Sequence, residues 1–237
     1  MTDTAVVAGQ RLNPVAARVA IVEDHGLLAQ SLGFALSNLG IHVTVIDDLD
    51  RGAVLRVLRE TELHMVLLDF DLGDAGLGLH LVGPITDLGL RVIMLTGETN
   101  PISLAECVEA GAVGIINKSE PFERLIERVT DVVDGRGILS TSVRENLLAD
   151  LRAHRAREGE RLAPFARLTV RESEVLQDLI EGKNAETIAM ESYVSIATVR
   201  SHIKALLSKL GVNSQLAAVA MAQRSAWASR YPRDTSQ

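Results

Sequence analysis

Five polar residues in the first half of the chain have the types and spacing of a phosphoryl-transfer site. Glu23 and Asp24, then Asp69, then Thr96 and finally Lys118 each follow a short apolar run. Neighbouring carboxylates repel one another, and a hard divalent cation such as Mg2+ relieves the repulsion by binding their oxygen atoms. A carboxylate held in this way can act as a nucleophile toward a phosphoryl group. We therefore predict that Asp69 accepts phosphate, and that Lys118 and the Thr96 hydroxyl contact the phosphate oxygens.

Alternating strands and helices must position these residues. Apolar runs predict strands at 19–22, 42–46, 65–68, 91–95 and 113–116, each followed by a helical pattern, at 26–39, 51–60, 77–87, 102–110 and 121–134. Five such units predict a doubly wound α/β fold with a five-stranded parallel sheet, in which functional groups gather at the carboxyl ends of the strands. At that edge the suitable Mg2+ ligands are Glu23, Asp24, Asp69 and the backbone carbonyl of Asp71.

Four motifs in this half resemble the receiver domain of two-component response regulators. They are IVEDHG (21–26), VLLDFDLGDAG (66–76), IMLTGE (93–98) and GAVGIINKSEP (111–121). Each motif is weak alone, but their order and spacing together are specific. The resemblance implies a flavodoxin-like fold, Mg2+ as the cofactor and a sensor histidine kinase as the partner that phosphorylates Asp69. It also implies that Thr96 reports the phosphate and that Lys118 pairs with it.

The second half of the chain contains only helical patterns, at 170–181, 185–190, 196–209 and 215–227. Ser195 is a favourable N-cap for the third of these helices. That helix presents Arg200, Ser201 and Lys204 on one outer face. Arg and Lys early in a helix suit reading of the major groove of double-stranded DNA.

Residues 168–222 resemble the LuxR-type helix-turn-helix domain of the NarL/FixJ subfamily of response regulators. The pattern LTxRExEVL, then IA, then VSxxTVRxHIxxxLxKLGV is met almost throughout. The resemblance implies that Arg200, Ser201 and Lys204 face bases. It also implies that the last helix forms the interface of a homodimer when the protein is active. RNA polymerase is a further candidate partner. The candidate contacts to the DNA backbone are Lys183, Ser195, Thr198, His202 and Lys209.

The chain departs from both family patterns at a few positions. Family members usually carry an aromatic residue three positions before the lysine, where this chain has Ile115. The loop after the phosphoacceptor lacks a common proline, and Ser119 rather than proline follows the lysine. The alternative hypothesis is therefore a DNA-binding regulator whose receiver acts independently of phosphorylation. In the second half Ser192 stands where leucine is usual, and we expect Met190 or Tyr193 to complete that edge of the core.

The composition of the 237 residues fits two compact domains joined by a linker. Hydrophobic residues make up 47%, which is enough for packed cores, and the single cysteine excludes an internal disulfide. We predict a disordered start at 1–16, a receiver at 17–138, a charged and partly helical linker at 139–166 and a DNA-binding domain at 167–230. No apolar run reaches the roughly 18 residues of a membrane span and the N-terminus lacks a signal-peptide pattern, so we expect a cytoplasmic protein without a membrane partner.

Charge is unevenly distributed along the chain. Residues 1–140 contain 10 basic and 20 acidic residues, whereas residues 141–237 contain 14 basic and 11 acidic residues. The difference suggests that the second half contacts nucleic acid. It also motivates the hypothesis that the acidic receiver masks the DNA-binding domain before phosphorylation. Equal DNA affinity of the full chain and of residues 160–237 would contradict the masking.

A Mg2+-dependent phosphohydrolase of the haloacid dehalogenase type is the rival from the enzyme class. Asp69-Phe70-Asp71 resembles the nucleophile and acid pair of that family. That family places the pair after its first strand, whereas here the pair follows the third. We therefore expect a regulator rather than an enzyme, and steady multiple turnover of a phosphoester would favour the rival.

Overall fold

The computed structural model describes residues 17–137 and 139–228. The predicted disordered start and the last residues of both predicted domains lie outside this part of the chain. The chain divides between Arg152 and Ala153 into two compact units.

Five parallel strands form the sheet of the first unit, in the order β2-β1-β3-β4-β5. Each strand is followed by a helix, and the predicted doubly wound α/β fold is confirmed. The elements are β1 (Arg18–Val22), α1 (Gly26–Asn38), β2 (His42–Ile46), α2 (Arg51–Glu60), β3 (Met65–Asp69), α3 (Leu79–Thr86), β4 (Arg91–Thr96), α4 (Pro101–Glu109), β5 (Gly114–Asn117) and α5 (Phe122–Val133).

Both faces of this sheet are packed against apolar side chains. Consecutive residues of a strand point to opposite faces, so Leu67 and Leu68 of β3 belong to two different core clusters. A strand that is buried on both faces is apolar without alternation, and every residue of β3 is buried. The one polar residue of β3 is Asp69 at its carboxyl end, where the predicted site lies.

The second unit consists of helices and turns in its described residues. The helices are α6 (Thr141–Leu162), which begins in the first unit, α7 (Val170–Ile180), α8 (Ala185–Glu191), α9 (Ile196–Leu210) and α10 (Gln215–Arg224). Hydroxyl or amide side chains cap the N-termini of the last four helices by accepting backbone N–H groups; these residues are Thr169, Asn184, Ser195 and Ser214. The confirmed four-helix pattern packs around a core that includes Leu176, Ile188 and Leu206.

Two sequence predictions in this unit were wrong. The last helix ends at Arg224 rather than near Trp227, because Ala226 adopts a left-handed φ of 43° and Trp227 stacks on Phe165 at a ring distance of 5.4 Å. Met190 and Tyr193 do not complete the core edge beside Ser192, since they are 72% and 96% exposed. A cavity of about 30 Å³ lies there instead.

Candidate functional site

The carboxyl ends of neighbouring strands bring three predicted pocket residues together. β3 lies between β1 and β4, with Asp69 opposite Leu95. Glu23 follows β1 on one side of Asp69, and Thr96 ends β4 on the other. Glu23, Asp69 and Thr96 are only 4%, 2% and 1% exposed. Buried carboxylates are costly unless a charge or hydrogen-bond donor compensates them, so a cation at this sheet edge would stabilise Glu23 and Asp69.

Lys118 provides one such cation. Its Nζ lies 2.5 Å from Oδ2 of Asp69 and 2.8 Å from Oε1 of Glu23. Burial, aided by the neighbouring Glu23, raises the pKa of Asp69 to about 7 even though the hydrogen bond from Lys118 lowers it. Burial lowers the pKa of Lys118, but its bonds to the two carboxylates outweigh burial and hold that pKa above its usual value. The lysine therefore stays charged beside the nucleophile.

The acidic cluster has the donors that a hard metal ion needs. Four residues each offer one ligand atom, and these atoms lie within 4.8 Å of one another; the residues are Glu23, Asp24, His25 and Asp69. Oε2 of Glu23 is buried without a hydrogen-bond partner among the described residues, and such an oxygen is stabilised by a bound cation. The carboxylates thus fit Mg2+. The carbonyl of Asp71 as a further ligand stays a prediction.

His25 belongs to this cluster, although the sequence motif alone gives it no function. Its Nδ1 lies 2.5 Å from Oδ1 of Asp24 and 3.1 Å from Oε1 of Glu23. The hydrogen bond with Glu23 and the charge of Asp24 raise the pKa of His25. Its position directly after the acidic pair is the signal that could have identified it.

The loop after β3 is held tightly against the phosphoacceptor. The N–H of Asp71 donates to Oδ1 of Asp69 at 3.3 Å, and the N–H of Gly78 donates to the carbonyl of Phe70 at 2.8 Å. A Cβ atom at Gly78 would collide with the carbonyl oxygen of Asp69. The loop therefore needs glycine at position 78 to pack against Asp69, which the sequence pattern did not reveal.

Thr96 and Lys118 are linked through the backbone. The N–H of Lys118 donates to the carbonyl of Thr96 at 2.8 Å, while the Thr96 hydroxyl accepts the N–H of Glu98 at 2.8 Å. Ile115 is partly buried and packs against the core cluster that contains Met94. The position that is usually aromatic thus carries an aliphatic side chain that extends the core.

The predicted DNA contacts on α9 share an accessible surface. The three residues predicted to face bases all lie exposed there, namely Arg200, Ser201 and Lys204. Ser195 and Thr198 are exposed at the start of α9, where their hydroxyl oxygens lie 2.8 Å apart. His202 is half-buried. Seven of the eight predicted DNA contacts thus lie on α9 or its N-cap, the seventh being Lys209 in its last turn.

Lys183 and Lys209 are engaged inside the unit instead. The Nζ of Lys183 lies 2.9 to 3.1 Å from three carboxylates, those of Glu191, Asp178 and Glu181. The bond to Glu191 contributes most to a raised pKa of Lys183. The Nζ of Lys209 lies 2.6 Å from Oε2 of Glu172. Lys183 would have to leave part of this cluster in order to bind a phosphate, whereas Lys209 has further N–H groups besides the one that bonds to Glu172.

Two family matches and one relative show the family to which this chain belongs. Residues 19–130 match the family described as "Response regulator receiver domain", and residues 166–222 match "Bacterial regulatory proteins, luxR family". The chain is 31% identical over 214 residues to the "Probable transcriptional regulatory protein NarL" of Mycobacterium tuberculosis, which is 89% of this chain and 95% of the relative. This chain belongs to the NarL/FixJ subfamily of two-component response regulators.

Other relatives of this response regulator include the "Nitrate/nitrite response regulator protein homolog" of Haemophilus influenzae. The two are 30% identical over 86% of this chain and 95% of the relative. A solved structure of RcsB from Salmonella enterica serovar Typhimurium, bound to promoter P1flhDC, is 26% identical, with a TM-score of 0.48 and coverage of 89% of this chain and 98% of that one.

The family matches make this response regulator a transcription factor with a receiver and a helix-turn-helix DNA-binding domain. Its family is one of transcription regulators and not of classical enzymes. Among its described helices no single one is long and apolar enough to cross a membrane, and only the bent pair α9 and α10 passes that criterion jointly, by length and composition alone.

Proposed function

We propose that this response regulator accepts a phosphoryl group from a sensor histidine kinase on Asp69, with Mg2+ as cofactor. The modification controls dimerisation and sequence-specific DNA binding. One observation carries the proposal: the Nζ of Lys118 bridges Asp69 and Glu23 inside a buried pocket. A charged lysine that contacts the nucleophile is placed to pair with the phosphate that the nucleophile receives.

The transfer step exchanges one phosphorus bond for another. A carboxylate oxygen of Asp69 attacks phosphorus, the phosphorus–nitrogen bond of the phosphohistidine breaks, and its electron pair stays on the imidazole. The product is an acyl phosphate, which carries about −1.5 to −2 units of charge. Lys118 then pairs with one phosphate oxygen, and the Thr96 hydroxyl donates to another.

The acidic cluster would hold the metal ion. Glu23, Asp24 and Asp69 offer carboxylate oxygens, and the carbonyl of Asp71 offers a neutral one. When bound, Mg2+ neutralises negative charge on the oxygens of the nucleophile and the phosphoryl group.

The proposed DNA surface is the exposed face of α9, with Arg200, Ser201 and Lys204 directed at base edges. We place the phosphate contacts at Ser195, Thr198, His202 and Lys209, with Lys183 as a further candidate that must first leave part of its carboxylate cluster. The proposed dimer contact is α10, where Leu216 is 79% exposed. A dimer would place two copies of α9 in successive major grooves.

Phosphorylation by acetyl phosphate in the presence of Mg2+ tests the site directly. We expect mass spectrometry to detect one added phosphoryl group on the wild-type chain and on Asp74→Asn, which removes an exposed carboxylate of the same loop. Asp69→Asn and a reaction without Mg2+ should give no label. Labelling of Asp69→Asn at the wild-type rate would refute the assignment of the phosphoacceptor.

Ile115 supports a second candidate, a DNA-binding regulator that acts independently of phosphorylation. The absence of an aromatic ring removes one usual element of the receiver switch. Under this alternative the Asp69→Asn variant binds and regulates DNA as the wild type does.

A further inference from the structure

The DNA-binding segment 166–222 neutralises its own positive charge. It contains six basic and six acidic residues. All six carboxylates form ion pairs within the segment, with four of the six basic residues: Arg171 with Glu174, Lys183 with Asp178, Glu181 and Glu191, Arg200 with Glu186, and Lys209 with Glu172. Lys204 forms no ion pair with any described residue. Nonspecific attraction to the phosphate backbone, which depends on unpaired Lys and Arg, is correspondingly reduced.

These ion pairs are of two kinds. The carboxylates of Glu172 and Asp178 are 6% and 5% exposed, so their bonds to Lys209 and Lys183 hold the fold together. The pair between Arg200 and Glu186 is different, because its side chains are 68% and 56% exposed. Exposed ion pairs are weak, and this one can open when a better partner reaches the guanidinium.

Glu186 contacts the residue that is proposed to read DNA. Its Oε1 lies 3.2 Å from a guanidinium nitrogen of Arg200. Glu186 lies in the first turn of α8, and Arg200 lies on the exposed face of α9. The carboxylate therefore stands beside the surface that would meet the polyanion, where it repels phosphate groups and retains the arginine at the same time.

We infer that Glu186 is a specificity-determining residue, which withholds Arg200 from phosphates and releases it to a guanine edge. The inference rests on the proposed function of α9 in reading DNA. A phosphate also fits the guanidinium fork, but it replaces one anionic partner of Arg200 by another and is repelled by Glu186. A guanine accepts two hydrogen bonds from the arginine in the fixed fork geometry. Glu186 thus lowers binding to random DNA more than binding to the correct site.

The affinities of the phosphorylated full-length chain for two DNA duplexes test the inference. One duplex is the sequence that the wild type selects from a random library, and the other is a scrambled duplex of the same composition. We expect Glu186→Gln to raise the affinity for the scrambled duplex several-fold and to raise that for the selected duplex less. The salt dependence of binding to the scrambled duplex should steepen by about one unit of log–log slope per subunit, for one added phosphate contact.

Two controls separate this effect from a general change of charge. Glu158→Gln removes an equal charge from an exposed ion pair with Arg161 on α6, and should leave the affinity ratio of the two duplexes unchanged. In an Arg200→Ala background, Glu186→Gln should no longer change that ratio.

The possible failures are distinguishable. If the wild type selects no sequence, or if Arg200→Ala binds both duplexes as the wild type does, the proposed role of α9 fails and the inference fails with it. If the wild type discriminates and needs Arg200, but Glu186→Gln keeps the same affinity ratio, only the inference on Glu186 is overturned.

Discussion

A side chain at Gly78 has no room, because its Cβ would meet the carbonyl oxygen of Asp69. The φ of Gly78 is −58°, which any residue adopts, so the requirement is one of space. We predict that Gly78→Ala destabilises the first unit by about 1–3 kcal/mol, the usual cost of overpacking, and slows labelling of Asp69. Hydrogen exchange of β3 and acetyl phosphate labelling measure the two effects.

Gly33 in α1 is the matched control for this substitution. A Cβ there would make only ordinary contacts, at 3.6 and 3.7 Å from Val45 and Val43. Gly33→Ala should stabilise the unit by up to about 1 kcal/mol, because alanine favours the helix. Equal stabilities of the two variants would contradict the steric argument.

Glu172 joins the N-terminus of α7 to the end of α9. Its Oε2 accepts the N–H of Thr169 at 2.8 Å and a bond from Lys209 at 2.6 Å. Burial raises the pKa of Glu172, but the bonds from Lys209 and Thr169 outweigh burial and hold that pKa below its usual value of 4.5. The charged form is therefore favoured in the folded state, and its stabilisation is present above about pH 4.5 and is lost as the pH falls through the folded pKa.

We predict that Glu172→Gln lowers the free energy of unfolding by about 2 kcal/mol at pH 7, the range for hydrogen bonds to a charged group. The difference from the wild type should shrink as the pH falls below about 4.5. Trp227 is the single tryptophan of the chain and lies in the second unit, so its fluorescence reports unfolding of that unit. A difference that persists in acid, or one equal to that of Glu158→Gln, would refute the prediction.

At the scale of elements, Arg144 fastens the first turn of α6 to the end of α4. Its guanidinium donates to the carbonyls of Val108 at 3.3 Å and Ala112 at 2.6 Å. We predict that Arg144→Ala speeds hydrogen exchange in the first turns of α6 about tenfold, which corresponds to about 1.4 kcal/mol. Arg152→Ala is the control, since Arg152 donates only to Leu148 of its own helix among the described residues. Equal exchange in both variants would show that Arg144 is no anchor.

Elements with a local signal were predictable from the sequence, and those that depend on tertiary contacts were not. The start of α9 was evident from the N-cap Ser195, and apolar runs located β2 at its observed bounds. The unbroken course of α6 was not evident, because Leu151 is its single buried residue among those described and no apolar stripe marks the helix. For the site, the acidic strand ends could be predicted from the order of the elements. The collision at Gly78 and the pairing of Glu186 with Arg200 exist only after residues distant in sequence have packed.

At the scale of the whole molecule, the positive excess of the second half lies outside residues 166–222, where basic and acidic residues are equal in number. Screened attraction of an acidic receiver for a segment without net charge is weak. The electrostatic basis of the masking hypothesis is therefore small, and the masking stays a prediction. We expect that dimerisation controls DNA binding, since a dimer engages two half-sites and multiplies a modest affinity.

DNA affinity measured with and without acetyl phosphate, in the full-length wild type and in Asp69→Asn, tests whether phosphorylation of Asp69 controls DNA binding. Fluorescence anisotropy on the selected duplex gives the affinity, and sedimentation of the same samples gives the oligomeric state. We expect acetyl phosphate with Mg2+ to raise the DNA affinity of the wild type and to shift the wild type to a dimer, while the affinity and oligomeric state of Asp69→Asn stay unchanged. Equal affinity of the wild type before and after complete labelling of Asp69 would contradict the account and favour a receiver that acts independently of phosphorylation.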